Sequence, residues 1–157
     1  TLHAVACAAG PSPCTVAAIP AGRGEVFAQI LGVATDGTVN ELSSPAHIKP
    51  DLLAEEVRNY SRDAKWVGGG ALVHRELLRE TAGRAGLVWR EQTAPEAHAW
   101  QRPNAGWSLI TPVESYAVEI AKLGLISSEK GMSVNAESLR AIYVRPSDAE
   151  LKERCRV

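Results

Sequence analysis

A chain of 157 residues with 45% hydrophobic content is long enough to bury one proper core and too short for two ordinary domains. Seventeen basic residues against eighteen acidic ones leave a net charge of -1. No overall field therefore draws the chain onto a nucleic-acid backbone or an anionic membrane, and an RNA contact needs a local patch or a partner. Cys7, Cys14 and Cys155 are odd in number and lack CxxC spacing, so neither a disulfide framework nor a zinc site is expected, and a cytoplasmic location is.

The predicted elements alternate between helix and strand. "TLHAVACAAG" has apolar residues at Leu2, Val5 and Ala9 and closes on Gly10 and Pro11, the stop signals of a helix. It lacks the charged start of a signal peptide, and no apolar run approaches the roughly 20 residues of a membrane span. The opening Thr1 implies processing or a longer parent chain. "CTVAAIP" and "GEVFAQILGV" are β-rich runs joined by the short "AGR" turn, and Asp36-Gly37 marks a second tight connection. These predict a three-stranded antiparallel meander whose third strand runs near Val39 to Leu42.

"KPDLLAEEVRNY" predicts a helix capped by Asp51. "AKWVGGG" follows as a short buried strand, "ALVHRELLRETAGRAG" as one helix ended by glycine, and "LVWRE" as a further strand. From 92 to 110 the composition shifts to Pro, His, Trp, Gly and Asn, which predicts a loop. In "TPVESYAVEIAKLGLIS", Thr111 as cap, Pro112 at the first helical position and the apolar spacing beyond predict a helix. "AIYVRPSDAELKERCRV" closes the chain as one apolar segment and a charged tail.

Three features suggest chemistry, each with a structural counterpart. Gly68, Gly69 and Gly70 between a strand and a helix have the layout of a phosphate loop, in which bare backbone approaches an anion at a helix N-terminus. A Walker loop would need Lys and Ser or Thr directly after the last glycine, and Leu72 and Val73 stand there instead. A tight strand-to-helix turn is the favoured expectation, with nucleotide contact as the competing one. His74 has Glu76 nearby but no second histidine four residues away, so a metalloprotease helix is not predicted. Thr1 raises an N-terminal nucleophile, which its helical context disfavours. Arg23 and Glu25 in the "GRGEV" turn could bind a ligand or pair with each other across the hairpin, and the pairing is the favoured expectation. Trp66 and Trp89 are predicted core residues, whereas Trp100 and Trp107 flank Pro103 in the expected loop, where covering the core is the default role.

Three strands followed by helix, strand, helix, strand, helix is the order of a ribonuclease-H-like lobe of the actin and sugar-kinase superfamily, an α/β fold with a mixed sheet and flanking helices. Other mixed α/β domains share that order. "GRGEVFAQI" after a strand, "VGGGAL" before a helix, and "AIYVRPSDAELK", with Tyr143, Arg145, Pro146, Ala149, Glu150 and Leu151 in one window, resemble the bacterial TsaB family. The resemblance runs from "TLHAVA" to Lys152. It implies a two-lobed protein of which residues 1–157 form the second lobe as a single unit.

By the same resemblance the chain is a non-catalytic partner in making threonylcarbamoyladenosine beside the tRNA anticodon. It would support the catalytic subunit TsaD, with the ATPase TsaE joining and tRNA touched only indirectly. Homodimerisation would run through the first lobe, and Arg145 and Glu150 would make a secondary partner contact. No cofactor, catalytic residue or metal ligand of its own is expected. Pro20 stands near a position where the family commonly has aspartate, and Gly69 replaces the acid of a family-like "GDGA", so two carboxylates are lost. The rival expectation is an enzyme: a nucleotide-binding ATPase or phosphotransferase lobe, or a glycoprotease-like peptidase.

Overall fold

In the computed structural model, the described residues are 1–93, 106–111 and 114–138. The chain opens with helix α1 (Leu2–Ala8), then strands β1 (Ser12–Gly22), β2 (Glu25–Val33), β3 (Val39–Glu41) and β4 (Ala46–Ile48). Helix α2 (Pro50–Tyr60), strand β5 (Ala64–Val67) and helices α3 (Gly69–Val73) and α4 (Arg75–Arg84) follow. Strands β6 (Val88–Gln92) and β7 (Gly106–Ile110), helix α5 (Ala117–Glu129) and a 3-10 turn at Ala136–Ser138 complete the order.

The strands form one mixed sheet in the order β3-β2-β1-β5-β7-β6, with β4 also paired to β2. The β1–β2, β2–β3 and β2–β4 pairs are antiparallel, whereas β1–β5, β5–β7 and β7–β6 are parallel. β1 and β2 meet in a two-residue turn in which Arg23 (φ 53°) and Gly24 (φ 76°) both take the left-handed backbone that matches strand twist.

Alternation along the strands sends side chains to two cores. Val16, Trp66, Trp107 and Leu109 face one side, where Leu53 and Val57 of α2 and Leu78 of α4 cover them. Their neighbours Ala17, Val67 and Ile110 face the other side, under Val5, Ala6 and Ala9. The domain is thus α/β, with helices on both faces of a mixed sheet.

Several expectations are corrected. The third strand of the meander lies where expected, as β3, but a further strand, β4, that was not expected also pairs with β2, and Ser43 bridges the gap between them: its Oγ accepts the Ile30 N–H at 2.9 Å and its carbonyl accepts Gln29 Nε2 at 3.0 Å. Asp51 does not cap α2. Lys49 is the extended flanking residue, Pro50 occupies the first turn, and Asp51 lies inside that turn, favourable to the helix dipole.

The single helix expected after the glycines breaks at His74 into α3 and α4. The stretch expected as a loop contains β7, a central strand with Trp107 fully buried. Its rings tilt against Trp66 at 5.0 Å between centroids. Thr111 is no helix cap: its N–H extends the sheet ladder to the Gln92 carbonyl at 2.9 Å, and α5 begins only at Ala117. Pro112 lies outside the described residues, as do Trp100, Pro103, Cys155 and the tail carrying Arg145 and Glu150.

Candidate functional site

The glycine turn sits where β5 ends, beside the outgoing half of β1. Gly68 has φ 101°, which side-chain-bearing residues rarely adopt, and a Cβ there would lie 2.3 Å from the Ala18 carbonyl oxygen and 3.0 Å from Val5 Cγ1. A Cβ on Gly70 would come within 3.0 Å of the Ala18 and Ile19 carbonyl carbons and of Val26. The same atom on Gly69 would meet the Pro20 ring at 3.6 Å. Each glycine therefore turns its bare side toward β1 or its neighbour β2. Glycine here lets α3 lie directly against the sheet, the conformational role expected from the sequence.

α3 spans five residues, and the Leu72 N–H already bonds the Gly68 carbonyl at 3.1 Å. Leu72 and Val73 are exposed beyond it. The turn thus brings apolar side chains, not Lys or Ser, to the position where a phosphate loop places its polar groups.

At the same end of β1, the structure brings together a pair that sequence spacing did not reveal. His47 on β4 faces Phe27 on β2, with ring centroids 5.2 Å apart, and its Nε2 lies 2.8 Å from Glu25 Oε2. Glu25 thus contacts a histidine 22 places away in the chain. Register creates this contact: Val26 opposes Ile48 and Phe27 opposes His47. A second histidine behaves likewise, His3 Nε2 contacting Glu41 Oε1 at 3.0 Å across α1 and β3. His74 stands at the break between α3 and α4. Among the described residues no three His, Cys, Asp or Glu side chains gather as metal ligands.

Lys65 is the charged group that the sequence hid. It lies on β5 and is 2% exposed. Its Nζ donates to the Ala9 carbonyl at 2.8 Å and the Pro11 carbonyl at 3.1 Å, at the negative end of α1. Burial pulls the ammonium pKa down to about 8. "AKWV" gave no signal of this, since an apolar strand with one lysine usually turns that residue to solvent.

Cys7 is half-buried on α1, and its thiol is pushed above the usual range, first by burial and then by Glu119, with Lys122 opposing. Such a thiol is a poor nucleophile.

Neither the family models nor the curated proteins compared with this chain give a match. What the structure defines is a domain class: an α/β unit with a mixed sheet between helices.

Proposed function

We propose that this domain is a ribonuclease-H-like lobe of a TsaB-like protein, acting as a non-catalytic partner of a TsaD-like subunit in threonylcarbamoyladenosine formation on tRNA. A TsaE-like ATPase would join the same assembly. The observation that carries the proposal is the strand arrangement. An antiparallel meander of β1, β2 and β3/β4 is followed by α2 and then by β5, which returns parallel beside β1. It agrees with the order of three strands, helix and strand expected of a ribonuclease-H-like lobe.

The glycine geometry favours a supporting role over a phosphate-transfer role, because Gly68 and Gly70 are both needed for the packing of α3 on the sheet.

The test uses the protein that contains this chain, expressed in bacteria lacking their own TsaB. Mass spectrometry of nucleosides from bulk tRNA is expected to show threonylcarbamoyladenosine restored, and TsaD is expected to co-purify. Absence of the modified nucleoside together with tight, stoichiometric ATP binding by the protein alone would replace this assignment with the phosphotransferase one.

A further inference from the structure

α5 carries an apolar sequence, "AVEIAKLGLISSE", yet none of its thirteen residues is buried. It packs against α1, Tyr116 at its N-terminal flank reaches the core, and its C-terminal end makes two further contacts with the body. Lys130 Nζ donates to Thr38 Oγ1 at 3.0 Å, and Ile126 Cδ1 lies 3.3 Å from where a Cβ on Gly37 would stand. Between α5 and the C-terminal end of α1 runs an open groove of about 610 Å³, floored by the 33–37 connection after β2. Pro11, Val33, Ala34, Leu123, Leu125 and Ile126 give it apolar walls. Leu125 is 65% exposed there.

Two features specify what would fill it. The first is shape: α5, thirteen residues and about 20 Å long, forms one wall that a helix of about three turns could lie along, with the C-terminal end of the seven-residue α1 meeting it on the other side. Glu119, Leu123 and Ile126, at spacings of four and three, place one α5 face along the groove, as a ridge for such packing. The second is charge. Among the described charged residues that line the groove, Asp36, Glu119 and Glu129 outnumber Lys122. An apolar channel with an acidic rim matches a helix whose apolar stripe is bordered by Lys or Arg.

We propose that the groove between α1 and α5 is a docking site for an amphipathic helix of a partner protein, apolar face inward and basic residues at its edges. Docking would cover Leu123, Leu125 and Ile126 and place cations beside Glu119 and Glu129. The site is independent of the glycine turn and of the assignment to tRNA modification.

The test measures fluorescence anisotropy of two labelled synthetic helical peptides with the same Leu stripe, one bordered by Lys and one by Glu, titrated with the purified chain at low salt. The Lys-bordered peptide is expected to bind at least tenfold more tightly. The double variant Glu119→Lys, Glu129→Lys is expected to reverse the preference, and circular dichroism should show its fold unchanged because both positions are at least partly solvent-exposed.

Equal binding of both peptides, or an unchanged preference in the double variant, would overturn the proposal. So would sedimentation equilibrium showing that the chain dimerises and that Leu125→Asp makes it monomeric, since a second copy would then be the occupant.

Discussion

A methyl group at position 68 has nowhere to go: it would meet the Ala18 carbonyl oxygen at 2.3 Å on a backbone with φ 101°. Gly68→Ala combines a left-handed backbone penalty with a main-chain clash, and is expected to lower stability by about 2 kcal/mol or more in urea unfolding. Gly83 provides the contrast. It lies in α4, with open space where its Cβ would be, and Gly83→Ala is expected to stabilise by about 0.5–1 kcal/mol in the same experiment. A Gly68→Ala protein as stable as wild type would show that β1 can yield to α3.

Lys65 makes a different kind of prediction, because its folded pKa of about 8 lies below the ordinary 10.5. Between these values the unfolded chain holds a proton that the folded chain has released, so the contribution of Lys65 to stability rises with pH across that window. The neutral amine still carries two N–H groups for the Ala9 and Pro11 carbonyls. Wild type is therefore expected to gain stability relative to Lys65→Met as pH rises from 8 to 10.5. A difference between the two that stays flat across this range would mean that the buried ammonium titrates normally.

At the level of whole elements, α4 and α5 differ in what their leucines do. Leu78 of α4 is 2% exposed beneath Trp66 and Trp107, whereas Leu125 of α5 is 65% exposed. Leu78→Ala is expected to cost about 2–5 kcal/mol and Leu125→Ala less than about 0.5 kcal/mol, as read from thermal and urea melts. Equal costs would place α5 in the folded core.

The same contrast explains what was legible in the sequence. α1, β1, β2, α2 and β5 announce themselves because periodicity and punctuation agree: Leu53 and Val57 recur at helical spacing, and the Arg23-Gly24 turn separates two β-rich runs. β7 did not, because "GWSLI" is five residues long and adjoins a stretch rich in Pro, Asn and His, so composition outweighed pattern. The onset of α5 was misplaced for a related reason. Thr111-Pro112 has the look of a helix start, but the Thr111 N–H is already committed to the sheet through Gln92. Local rules lose where a long-range hydrogen bond claims the same group.

Across the whole molecule, the sheet organises the groups that could carry function. The conformational role of the glycine turn could be read from "VGGGAL" alone, since only the approach of α3 to β1 was needed to complete it. The Glu25–His47 contact and the burial of Lys65 could not, because each depends on strand register or on a helix end far away in sequence. The apolar residues of α5 were visible from the start, and their exposure was not.

The place of β7 also has a consequence in time. It lies between β5 and β6 in the sheet, yet the chain reaches it after both. On a ribosome adding about 5–20 residues each second, β5 emerges with one edge free, and β6 emerges with no strand to join, until Gly106–Ile110 has been made. For those seconds the indole of Trp66 lacks its stacking partner, and the N–H and C=O groups along one side of β5 are open to any passing strand. The birth of this protein is therefore exposed to error along β5, a strand whose four residues all end up buried.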